Sequence, residues 1–185
     1  LQMNIFLIGY RCTGKSSVGK LLAEKLEWPF LDSDAEIVSE AEMTISDMVA
    51  EHGWNFFREK EQSVISRLCA SDSHVIATGG GVILNPENVR NMRQHGVVVW
   101  LRAGSETIRK RIAEDEMTKS LRPSLTSKGF MEEIEEVLMI RMPLYESASD
   151  FCIDTDFLTP DEICDAIISR GQGGNLSGFS NFSIY

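Results

Sequence analysis

Residues 9 to 16 read GYRCTGKS. Two glycines separated by four residues, then lysine and serine, are types and spacing suited to holding phosphate. Backbone N–H groups of such a loop, and of the helix it opens, point inward at phosphate oxygens. Lys15 would reach the β- and γ-phosphates of a nucleotide, and Ser16 would ligate Mg²⁺. The expected ATP-binding stretch is therefore Arg11, Cys12, Thr13, Gly14, Lys15, Ser16 and Ser17. Cys12 occupies a variable position between the two glycines. A thiol among N–H dipoles is more acidic and more easily oxidised, although a small residue tolerated in the loop is the simpler reading.

A phosphate loop names no acceptor, but four other stretches carry suitable chemistry. In "LDSD", Asp32 and Asp34 end a short apolar run. At i and i+2 of an extended segment they would point the same way, over the crevice at the carboxyl end of a parallel sheet. A polar turn or a helix cap at Ser33 or Asp34 is the plainer alternative. "FFREKE" sets Arg58 and Glu61 three apart on one helix face, where a surface ion pair would be worth little. Gly79, Gly80 and Gly81 end another apolar run, giving either a sharp turn or a backbone surface that a ligand approaches closely. Arg141 lies within a mostly acidic and apolar helical stretch.

These residues need a frame, and the apolar pattern supplies one. "MNIFLIG", "WPFLD", "HVIATGGGV", "VVVWLR" and "DFCID" read as strands. Helical spacing follows at 15–26, in "TISDMVAEHG", in "WNFFREKEQSVISRLCA", from Pro86 to a closing Gly96, in "SETIRKRIAE", in "FMEEIEEVLMIRMPLYESA" and in "TPDEICDAIIS". Thr44 with Asp47 is placed like a capping box, Ser105 and Thr159 stand as caps, and Pro143 should kink or interrupt its helix. Strands alternating with helices, and nearly unbroken apolar strands, predict an α/β fold with a parallel sheet covered on both faces. The polar stretch 115–128 has no clear period. Residues 171–185 turn to Gly, Ser and Asn, and are expected to form a tail beyond a single domain at 1–170.

The chain has 185 residues and a formal net charge of −10. That length can bury a core without disulfide or metal staples. A general nucleic-acid binder would be basic, so nucleic acid is not an expected partner. The four cysteines make no C-x-x-C pair, which suits free thiols in a reducing cytoplasm. No signal peptide is expected, and runs such as "VVVWL" are too short to span a bilayer.

The order GxxxxGKS, LDSD, FRxxE, GGG and RP, followed by an arginine on a late helix, resembles the shikimate kinase family from about Asn4 to Arg170. The phosphate loop is generic; LDSD with FRxxE and GGG at these separations is specific. The resemblance implies a P-loop three-layer sandwich, a five-stranded parallel sheet flanked by helices, with a mobile lid at about 115–128. It implies transfer of the γ-phosphoryl of ATP to the 3-hydroxyl of shikimate with Mg²⁺; separately from the resemblance, a cytoplasmic monomer is expected. Asp34 would bind acceptor hydroxyls and take the proton, and Asp32 would support Mg²⁺ through water beside Ser16. Arg58 and Arg141 would hold the shikimate carboxylate, Gly79 to Gly81 would line the ring, and Glu61 would orient Arg58 or bind a hydroxyl. Lys15 and Arg122 would meet the phosphates. The family often has glycine where this chain has Cys12, and its lid commonly reads RPLL where this chain has "RPSL". The longer segment before Arg122 leaves adenine contacts open among Arg109, Lys110, Arg111 and the loop 154–157. A kinase of another hydroxy acid such as gluconate, and a binding module without catalysis, are the other readings.

Overall fold

The computed structural model describes residues 3–114 and 130–173. Five parallel strands run β1 (Asn4–Ile8), β2 (Phe30–Asp32), β3 (Val75–Ala77), β4 (Gly96–Arg102) and β5 (Phe151–Asp154), in the spatial order β2-β3-β1-β4-β5. The helices are α1 (Lys15–Leu26), α2 (Ser33–Ala41), α3 (Ile45–Leu68), α4 (Pro86–His95), α5 (Ser105–Glu114), α6 (Phe130–Ala148) and α7 (Pro160–Gly173), with a 3₁₀ turn at Val82–Leu84. Among the described residues no helix is long and apolar enough to cross a membrane.

The period-2 alternation of β1 divides the core. Ile5 and Leu7 pack on one face with Val18 and Leu22 of α1 and Ile163 and Ile167 of α7. Phe6 and Ile8 pack on the other face with Ile37 of α2, Ile65 of α3, Met92 of α4 and Tyr145 of α6. A third cluster joins Tyr10 to Ile108 and Ile112 of α5 and Ile134 and Leu138 of α6. The first two clusters cover the sheet on both faces and leave its carboxyl edge for the loops, where the α/β crevice lies.

Several elements differ from the sequence reading. Residues 33–41 form a helix, where the sequence left an extended segment, a polar turn or a helix cap at Ser33 or Asp34 open; the cap is one residue earlier, at Asp32. The cause is Asp32, whose Oδ1 accepts from the N–H groups of Asp34 and Ala35 and caps the helix. Residues 45–68 form one element with a break at Gly53, whose φ of 83° lies outside the helical region. The Thr44 cap holds: Asp47 N–H donates to Thr44 Oγ1 at 3.1 Å, and that hydroxyl donates to Asp47 Oδ2 at 2.7 Å. Helix α6 runs through Pro143 as one element. Helix α7 reaches Gly173, three residues past Arg170; residues 174–185 lie outside the described residues.

Gly96 does not close α4 in a left-handed cap. It is extended (φ −177°) and opens β4. Its requirement is space: a Cβ there would lie 2.6 Å from the Phe6 ring and against the Asn4 carbonyl. Gly96→Ala is therefore expected to destabilise the protein by about 1–3 kcal/mol through overpacking. A lower urea midpoint at unchanged slope is the expected result, and an unchanged midpoint would contradict the close approach.

Candidate active site

The loop between β1 and α1 curls over the carboxyl end of the sheet. Gly9 (φ 143°) leaves no room for a side chain beside the Leu101 carbonyl, and Gly14 (φ 94°) precedes the first residue of α1. Cys12 also has positive φ, at 58°. Glycine adopts that conformation at least cost, which accounts for glycine being common there in the family resembled. Thr13 Oγ1 donates to the Tyr10 carbonyl at 2.9 Å. Lys15, 7% exposed, donates to the carbonyls of Gly9 (2.9 Å) and Tyr10 (2.7 Å), so its ammonium stays inside the curve of the loop.

Ser16 Oγ donates to Asp32 Oδ2 at 2.7 Å. One carboxylate thus caps α2 and touches the first turn of α1. Asp34 is the second residue of α2, so the expected parallel pair on an extended segment is replaced by a cap and a helical residue. Its carboxylate nonetheless reaches the crevice, where a Cβ on Gly79 would lie 2.6 Å from Asp34 Oδ1 and 3.0 Å from Glu61 Oε1. The glycine at 79 is what lets these two carboxylates approach the backbone.

A cleft of about 440 Å³ opens here, lined by Arg11, Asp34, Arg58, Glu61, Arg141 and the three glycines. Arg58 Nη1 donates to Glu61 Oε2 at 2.7 Å. Its guanidinium stands 5.4 Å from the Trp54 ring centroid and 5.1 Å from that of Phe57, a stacking that arginine favours. A Cβ on Gly81 would collide with this guanidinium. Arg141, 8% exposed, donates from Nη1 to the Gly80 carbonyl at 3.2 Å, and Tyr145 Oη donates to the same oxygen. Burial pushes the Tyr145 phenol up to about 12. The N–H of Gly79 is taken by Ser33 Oγ at 3.1 Å.

Glu61 is wholly buried, and Oε1 has no hydrogen-bond partner among the described residues. Burial pushes its carboxyl up to about 7; Arg58 opposes the rise, Asp34 adds to it and Arg141 opposes it. A carboxyl raised in the folded state binds a proton that the unfolded chain has lost. Its contribution to stability is full below the ordinary carboxyl value of about 4.5 and is lost as pH rises to about 7. Glu61→Gln is thus expected to show a shallower fall in stability than the parent between pH 5 and 7. Parallel denaturation curves for the two proteins across that range would contradict the raised carboxyl.

A second cleft, about 810 Å³, lies on the other side of the loop, against Cys12, Thr13, Gly14, Ser17, Arg111 and Thr155. Arg111 donates to the carbonyls of Cys12 (3.3 Å) and Thr155 (3.0 Å) and to Thr155 Oγ1 (3.2 Å). Of the three basic residues left open for this side, Arg111 is the one fixed at the loop, whereas Arg109 pairs with Glu135 on α6. Arg122 and the stretch 115–128 lie outside the described residues.

The sequence reading missed Ile45, Trp54 and Phe57 in the acceptor-side cleft. The signal was present: Trp54, Phe57, Arg58 and Glu61 recur at helical spacing, so an aromatic wall was legible beside the arginine. Arg11, expected with ATP, lines the cleft of Asp34 and Arg58. Two clefts flanking one phosphate loop can seat a nucleotide and an anionic acceptor on either side of a transferred phosphoryl group.

Comparison with known proteins points the same way. The family model described as "Shikimate kinase" matches residues 11–172. The chain is 43% identical to a shikimate kinase of Caldicellulosiruptor bescii, over 90% of this chain and 94% of that one. It is 44% identical to a shikimate kinase of Syntrophus aciditrophicus, over 91% of each. Among solved structures it is similar to shikimate kinase from Acinetobacter baumannii in complex with shikimate, at a TM-score of 0.87 and 31% identity, covering 95% and 96% of the two chains.

Proposed function

The chain belongs to the shikimate kinase family, and we propose that it transfers the γ-phosphoryl group of ATP to the 3-hydroxyl of shikimate, giving shikimate 3-phosphate and ADP on the route to chorismate and aromatic amino acids. The observation that carries the reading is the cleft beside the phosphate loop, where Arg58 and Arg141 share one small volume with Asp34 and Glu61. In a chain of net charge −10, two such arginines suit a carboxylate, which a guanidinium holds by paired, charge-assisted hydrogen bonds. Trp54 and Phe57 give the acceptor ring an apolar wall, and Gly79 to Gly81 let it approach the backbone.

Phosphoryl transfer asks mostly for position and charge neutralisation. Lys15 and the loop N–H groups hold the γ-phosphate, and Asp34 orients the acceptor hydroxyl and takes its proton as the new bond forms. Arg122 completes the cationic surround. Mg²⁺ is the expected metal: a hydroxyl and a carboxylate 2.7 Å apart at the start of α1 are the hard oxygen ligands it takes, with substrate phosphates completing the set. Ser16 would hold it directly and Asp32 through water. Bound there, it would neutralise charge on the phosphates. The cysteines are free thiols, which supports the proposed cytoplasmic setting; the working unit is proposed to be a monomer.

Product identity is the test. Incubation with ATP, Mg²⁺ and shikimate should yield a monophosphate whose phosphorus couples to the proton on C3. Phosphate at another carbon, or no ester, would refute the assignment.

A further inference from the structure

The phosphate loop does not give all its side chains to the nucleotide. Cys12, Thr13 and Gly14 line the nucleotide-side cleft, while Arg11 lines the acceptor cleft with Asp34, Arg58 and Arg141. Arg11 is only 6% exposed. Its Nη2 stands 3.8 Å from Oε1 of Glu133, a wholly buried residue of α6. Its guanidinium also lies 5.7 Å from the Tyr10 ring centroid. Burial raises the Tyr10 phenol's pKa; Arg11 opposes that rise, Glu133 adds to it and Arg141 opposes it. Arg11 and Arg141, from different elements, therefore share one buried neighbourhood.

A buried ion pair is weak evidence for stability, because apolar residues of the same volume do as well. A cation fixed at the edge of a cleft that takes an anion and releases an ester with two further charges has a chemical use. We propose that Arg11 is a third cationic residue of the acceptor side, held in place by Glu133 as a positioning residue, and that it binds the phosphate of the product ester next to the phosphate loop. This rests on the function proposed above. Helix α6 then serves the acceptor twice, through Arg141 directly and through Glu133 by way of Arg11.

The test uses Arg11→Met, Arg11→Lys and Glu133→Gln. For each, the KM for shikimate, the KM for ATP, the inhibition constant of shikimate 3-phosphate and the thermal midpoint are measured. Glu133→Gln keeps the shape and Arg11→Lys keeps the charge, and the thermal midpoint checks that each variant folds. Arg11→Met and Glu133→Gln are expected to weaken product binding by about tenfold or more, as for a charged hydrogen bond, with a smaller rise in the KM for shikimate and an unchanged KM for ATP. Arg11→Lys should restore part of the loss. Weakened ATP with unchanged product binding would put Arg11 on the nucleotide side and overturn the inference. A lower thermal midpoint with unchanged constants would reduce the pair to a structural one and overturn it too. A parent inactive on shikimate would overturn the proposed function and this inference with it. An active parent whose variants keep its constants would overturn the inference alone.

Discussion

Lys15→Ala is expected to fold, to bind shikimate as the parent does, and to turn over slower by about a hundred- to a thousandfold. The magnitude is that of removing one preorganised donor from a developing charge. Lys15 is held within the loop by the carbonyls of Gly9 and Tyr10, so its ammonium is positioned before any reaction and costs little to reorganise. Truncation leaves those carbonyls without this donor, a modest loss beside the usual stability of a domain. Rate and shikimate affinity must therefore separate. Stopped-flow turnover and shikimate titration on the same preparation check this; a folded Lys15→Ala protein with near-parental turnover would reject the phosphate-loop assignment.

Arg58→Ala and Arg141→Ala should do the reverse, each weakening shikimate by about ten- to a hundredfold, from charge-assisted hydrogen bonds worth about 1.5–3 kcal/mol. Neither arginine lines the nucleotide-side cleft, so ATP affinity should hold. The two variants differ in what they leave behind. Without Arg58, Glu61 loses the group that most opposes its rise in pKa. It should then stay protonated through neutral pH rather than remain as an uncompensated buried charge. In the parent, Glu61 and the shikimate carboxylate compete for Arg58, so shikimate should bind more weakly as pH rises through about 7 and Glu61 ionises. That slope should vanish in Glu61→Gln. Calorimetric titration of shikimate from pH 6 to 8 checks both points. Parental affinity in both arginine variants would break the acceptor assignment, and an unchanged slope in Glu61→Gln would remove Glu61 from it.

The strands were legible as apolar runs, although β2 passes straight into α2, and burial of all five residues of "NIFLI" shows why such runs signal a central strand. Helix α2 was legible only as one alternative, a helix cap at Ser33 or Asp34. What starts it is the Asp32 side chain, which the resemblance had assigned to Mg²⁺. One residue carries both signals, and the local hydrogen bonds are invisible until the chain is folded. Arg58 and Glu61 could be paired from their three-residue spacing. That Glu61 is buried and Arg58 half-buried beside Trp54 and Phe57 depends on the packing of α3 over the sheet. Arg11 was assigned to ATP by its motif, and its side chain lines the cleft of Asp34 and Arg58; a phosphate loop binds mainly through backbone N–H groups, so the motif does not say where that side chain lies. Arg111 and Thr155 come from α5 and the turn after β5, and only the β4–β5 pairing brings those turns together.

The most direct measurement of the central claim is ADP release with Mg²⁺ and ATP, run in parallel on shikimate, quinate and gluconate. The account predicts rapid, shikimate-dependent release, with gluconate at the background rate of ATP hydrolysis. Faster release with gluconate than with shikimate, or no stimulation by shikimate, would contradict it.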